Sequence, residues 1–231
     1  MAKFQLFHDA ALRSARVKWL LHELFDDAFS VRYVDTYGAE QYGAEFLSIN
    51  PNHAIPVLEI AFENGSTLNM IESAAMISLL ADAYPDKKLA PPPGELSPAR
   101  ADYLQMLHFG ATMDAMLWQV RLHRHLLPVH ERVPRVAERY SHKFSREVVP
   151  QLATRLSQNA YACGDSFSAV DCILTHVVMW AKAYALCEAD VFSSYLARMT
   201  QRSAFQKAVA DRDRFVREIA PDSPVVQMIT G

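Results

Sequence analysis

Residues 50–84 read NPNHAIPVLEIAFENGSTLNMIESAAMISLLADAY, from Asn50 to Tyr84. The stretch holds a turn, a proline that opens a strand, a hairpin and a helix start. Val57 to Phe62 is an apolar run of strand length, Asn64-Gly65 is a strong hairpin signal, and Ser66 to Leu68 is the expected returning strand. A helix is expected from about Asn69, with Ile77, Leu80, Ala81 and Tyr84 at the i, i+3, i+4, i+7 spacing of one buried face. Asn69 and Glu72 could also form a capping box at its start.

Before this stretch, Lys3 to Phe7 alternates as a short strand, and Val17, Leu20, Leu21 and Leu24 form a helical stripe. Phe29, Val31 and Tyr33 alternate again, and a second helix is expected over 39–48. Residues 1–85 thus spell β-α-β-α-β-β-α, whose parallel pair needs a crossover helix. Residues 85–98, PDKKLAPPPGELSP, carry five prolines and a glycine and can hold neither helix nor sheet through their length. They divide an expected first domain, 1–85, and linker, 86–97, from an all-helical domain, 98–221, and a loosely held tail, 222–231. The expected helices are 98–126, 130–158, 168–186, 189–200 and 203–219.

A hydrophobic fraction of 51% over 231 residues is ample for a packed core, and no apolar run reaches the length of a membrane span. Net charge of -3 with interspersed signs gives no basic stripe, which argues against nucleic acid as a partner. Cys163, Cys172 and Cys187 have no C-x-x-C spacing and cannot all pair. They read as buried thiols of a reducing compartment, and with no signal-peptide pattern the expected location is the cytoplasm. His123, His125 and His130 lack the spacing of a metal site, so no metal is expected.

The order loop, Ile55-Pro56, strand, hairpin, strand, Glu72-Ser73, helix resembles the glutathione-binding half of the cytosolic glutathione S-transferases. A second motif, Gly164-Asp165-Ser166-Phe167-Ser168-Ala169-Val170-Asp171, matches that family's helical-domain pattern except at Val170. The resemblance implies an N-terminal thioredoxin-like domain followed by an all-α domain, a homodimer, and glutathione as co-substrate in detoxification. It implies a cis Pro56, an Ile55 backbone that pairs with the cysteinyl part of glutathione like an added strand, and Glu72 and Ser73 at the γ-glutamyl end. His53 is a candidate for the glycine carboxylate or else a loop histidine. Candidates for the electrophile pocket are His108, Phe109, Thr112, Met113 and Met116, each also readable as helix packing.

The family activates the glutathione thiol with a Tyr, Ser or Cys in the loop after the first strand. Here Phe7 or His8, Leu12 and Arg13 occupy those positions, and none carries the expected group. Ser14, as hydroxyl donor or helix cap, and Arg13, as a cation beside the thiolate or a solvated side chain, remain the catalytic candidates. The deficit is modest. Lowering a thiol pKa by about two units gains ~25-fold in thiolate at pH 7, but falling nucleophilicity leaves only ~3-fold. The expected activity is conjugation of glutathione to an apolar electrophile. The alternatives are a glutathione-dependent isomerase, reductase or ether-cleaving enzyme, or a non-catalytic module on the same scaffold.

Overall fold

The computed structural model describes residues 2–94 and 96–230. Met1, Glu95 and Gly231, which fall in the expected first domain, linker and tail, lie outside the described residues. The first half runs β1 (Lys3–His8), α1 (Ser14–Phe25), β2 (Ser30–Tyr33), α2 (Ala44–Ile49), β3 (Val57–Ala61), β4 (Thr67–Met70) and α3 (Ser73–Ala83). Its strands form one sheet of order β2-β1-β3-β4, with β1 and β2 parallel and the other pairs antiparallel. Period-two alternation along β1 sends Phe4 and Leu6 to a core shared with α1, α3 and the helical half, and Phe7 to a smaller cluster with Val34, Phe46 and Val57 beneath α2.

The hairpin between β3 and β4 closes as its sequence predicts. Gly65 adopts φ 84°, and the Asn64 side chain accepts from the Ser66 amide at 3.0 Å. The strand then continues to Met70, so α3 begins four residues later than the periodicity suggests. Asn69 is spent on the ladder opposite Glu59, and Glu72 makes no side-chain cap, which excludes the capping box.

The second half comprises α4 (Pro98–Arg121), α5 (Pro134–Glu147), α6 (Val149–Gln158), α7 (Ala169–Lys182), α8 (Asp190–Thr200), α9 (Ser203–Ala208) and α10 (Pro224–Thr230). A π-helical turn, Leu122–Leu126, ends the first of these. The single helix expected over 130–158 is two, because Pro134 starts one and Pro150 lies in the first turn of the next, where a missing amide is tolerated. The helix expected over 203–219 stops at Ala208, since Asp211 is drawn to His8, Lys18 and Tyr33 of the first half. The expected loose tail contains α10, which buries Val225 and Val226. Between α4 and α7 the approach is close enough that a Cβ on Gly110 would meet Ile173 Cγ2 at 2.9 Å.

The motif at 164–171 is structural. The Asp171 carboxylate accepts from the Ser168 and Ala162 amides, each at 2.8 Å, and from the Tyr195 hydroxyl at 2.9 Å, binding the start of α7 to the preceding loop and to α8.

Candidate functional site

The Ile55-Pro56 peptide is cis. It presents the Ile55 main chain, which enters none of the surrounding loop hydrogen bonds, at the rim of a cavity of about 580 Å³ between the two halves. That size suits a small-molecule site. At the start of α3 the first intrahelical bond runs from the Met76 amide to the Glu72 carbonyl, so the preceding amides are uncapped. Ser73 is 6% exposed and its hydroxyl has no partner among the described residues, while Glu72 is exposed at φ 73°. Uncapped amides and a free hydroxyl together suit a carboxylate. His53 lies on the cavity wall with its ring stacked on Tyr42 at 4.5 Å.

The loop after β1 behaves differently from a nucleophile-activating loop. Ser14 is fully buried, with its hydroxyl 2.7 Å from His8 Nδ1 and 3.0 Å from the Asp9 carbonyl. It neither faces the cavity nor caps α1, whose boundary residue is Arg13. His8 donates through Nε2 to Asp211 at 2.9 Å, and Lys18 and Tyr33 donate to the same carboxylate at 2.7 and 3.0 Å. Burial, helped by Lys18, lowers the His8 pKa from its usual value despite the opposing pull of Asp211, so the imidazole is neutral near pH 7. Burial alone would raise Asp211, but His8 and Lys18 hold it well below the usual carboxylate range.

Arg13 and Leu12 do line the cavity. Arg13 is not a solvated surface group. It donates twice to Asp114 of α4, through Nε and Nη2 at 2.9 Å each, and its guanidinium lies 5.9 and 5.5 Å from the ring centroids of Trp118 and Trp180. Arg16, wholly buried, donates to the same carboxylate and to His176 Nδ1. Burial would raise the Asp114 pKa, but hydrogen bonds and charge from the two arginines hold it low.

With Nδ1 accepting from Arg16, the hydrogen of His176 sits on Nε2 and is donated to the Ala11 carbonyl at 3.1 Å. Burial, then Arg16, pushes this pKa down from 6.5 to about 3. Between those values the unfolded chain binds the proton and the folded protein does not, so stability is full above 6.5 and falls as pH drops toward 3. Urea unfolding of wild type is therefore expected to lose more stability between pH 7 and pH 4 than that of His176→Gln. Equal losses would mean that His176 titrates normally.

Of the pocket residues expected from sequence, none lines this cavity. His108 and Thr112 are exposed, while Phe109, Met113 and Met116 are half-buried and pack against the core. The α4 wall is made instead by Trp118 and Arg121, two and five residues beyond Met116, with Met179 and Trp180 of α7 lining the same cavity. Phe215, Ile219, Val225 and Ile229 of the C-terminal segment cover it. The signal that could have found this wall is the stripe Asp114, Trp118, Arg121, spaced i, i+4, i+7 on one helix face. Among the described residues no group of three or more side chains is arranged to hold a metal, and no helix is long and apolar enough to cross a membrane.

No family model matches the chain. It is 25% identical over 173 residues, 73% of its length and 78% of the relative's, to the glutathione S-transferase GstA of Escherichia coli O157:H7. Its fold is similar to a Burkholderia graminis glutathione transferase crystallised with two glutathione molecules per subunit, with TM-score 0.77, 22% identity, and coverage of 92% and 90% of the two chains. A glutathione transferase from Methylococcus capsulatus superposes with TM-score 0.74 at 24% identity, over 92% of this chain and all of that one. In sequence the chain is similar to a glutathione S-transferase, and it has the fold of the glutathione transferases.

Proposed function

We propose that the protein binds glutathione and transfers its thiol to an apolar electrophile. The observation that carries this reading is the pairing of an unengaged Ile55 backbone at the cavity rim with an uncapped α3 start and a partnerless Ser73 hydroxyl. The tripeptide would lie as an added strand on Ile55, its γ-glutamyl carboxylate at Ser73 and its thiol toward Leu12 and Arg13. His53 stands on the same wall for the glycine end. Glutathione recorded in the Burkholderia graminis protein supports the choice of ligand.

Chemically, the thiol proton leaves to water, the thiolate attacks the electrophilic carbon, and the leaving group departs with the bonding electron pair. No cavity side chain is needed as the base. His176 has both nitrogens engaged, and the Arg13 guanidinium favours the thiolate without accepting a proton. Most of the rate then comes from positioning the electrophile in a largely apolar cavity. Assembly as a homodimer in the cytoplasm belongs to the same proposal.

Calorimetric titration of glutathione into Ser73→Ala is expected to show affinity lower by about 1 to 2 kcal/mol, roughly 5- to 30-fold, the scale of a charge-assisted hydrogen bond. Affinity equal to wild type would remove Ser73, and this placement of glutathione, from the site.

A further inference from the structure

We infer that the second ligand of this cavity is an aromatic molecule bearing a carboxylate or comparable anion, with its ring toward Trp118 and Phe215 and its charge toward Arg121. The inference rests on the reading of the adjoining surface as a glutathione site and narrows the co-substrate proposed above from an apolar electrophile to one whose apolar ring carries an anionic group.

Charge balance points this way. Among the described residues four arginines line the cavity, Arg13, Arg16, Arg121 and Arg212, and no aspartate or glutamate does. Arg13 and Arg16 share the single carboxylate of Asp114 behind the wall, which leaves one positive charge over. Arg16 Nη1 is also buried without a partner. Arg121 is the sharper case. It is 4% exposed, and its hydrogen-bond and ring partners among the described residues are all neutral: the Tyr37 hydroxyl at 3.3 Å, the Val216 carbonyl at 3.1 Å and the Phe215 ring at 4.7 Å. Its Nε is buried with no hydrogen-bond acceptor.

A guanidinium withdrawn from water and left without a counter-charge is unfavourable unless an anion meets it, and its planar fork suits a carboxylate. Arg121 stands seven residues along α4 from Asp114, or roughly 10 Å at 1.5 Å per residue. Its charge is therefore distinct from the Arg13 end of the cavity, where the thiol would lie. Trp118 lines the cavity from the same helix between Asp114 and Arg121, so ring and anion have separate places on one wall.

The test compares naphthoate with its neutral isostere naphthamide. Each is titrated calorimetrically into full-length protein, with and without saturating glutathione. Wild type is expected to prefer naphthoate by about tenfold or more, the scale of one charge-assisted contact, and to lose the preference as salt is raised. Arg121→Gln is expected to abolish the preference while still binding naphthamide, and Arg121→Lys to restore part of it. Equal affinities in wild type, or a preference that survives in Arg121→Gln, would overturn the inference. The wild-type pair decides the matter even if that variant does not fold. Displacement of naphthoate by glutathione disulfide from glutathione-saturated protein would identify the anion as a second tripeptide and overturn the aromatic assignment. Glutathione that does not bind, beside an intact naphthoate preference, would instead withdraw the function proposed above and leave the anion subsite in place.

Discussion

Asp114→Asn is expected to destabilise the protein by about 3 to 5 kcal/mol, the cost of removing one partner from a buried ion pair. Two cations depend on this carboxylate, and one of them, Arg16, has no exposed surface on which to find water instead. Asparagine keeps the shape and one acceptor but supplies no charge, so the loss is chiefly electrostatic. At about 2 to 4 °C per kcal/mol for a chain of this size, the melting temperature should drop by roughly 6 to 20 °C. Urea unfolding measures it directly. A loss below about 1 kcal/mol would mean that the two arginines are solvated in the folded state.

Asp171→Ala is expected to be at least as damaging. The carboxylate satisfies the amides of Ala162 and Ser168 and the hydroxyl of Tyr195, all buried. Each orphaned group costs about 1 to 3 kcal/mol, so the total begins near 3 kcal/mol, against a typical whole-protein stability of about 5 to 15 kcal/mol. Asp171→Asn should fall between, because one oxygen remains an acceptor while the new amide nitrogen must face a donor. A thermal unfolding series of wild type, Asn and Ala in that order of stability is the expected result. Indistinguishable Asn and wild type would show that the charge contributes nothing.

These two aspartates also mark what can be read from sequence. Asp171 was legible because its partner Ser168 lies three residues away and the capping pattern is local. The hairpin at Asn64-Gly65 and the turn into β3 were legible for the same reason. Asp114 was not, since its partners Arg13 and Arg16 lie 101 and 98 residues away, and a lone acidic residue on a helix carries no mark of them. The cavity wall shares this limit. Methionine and phenylalanine at helical spacing describe a buried face without saying what it faces, and Phe109, Met113 and Met116 pack on the core instead. The helix expected over 203–219 ended early because Asp211 serves residues at the other end of the chain.

That last connection bears on how the chain is made. His8 and Asp211 are 203 residues apart, and at a synthesis rate of about 5 to 20 residues per second they leave the ribosome roughly 10 to 40 s apart. Arg13 and Arg16 wait about half as long for Asp114. During that interval the nascent first half carries cations whose counter-charges, and an imidazole whose acceptor, do not yet exist, so those side chains stay hydrated. The hydrogen bonds that tie His8, Lys18 and Tyr33 to Asp211 can therefore form only after the first eighty-odd residues have long left the ribosome.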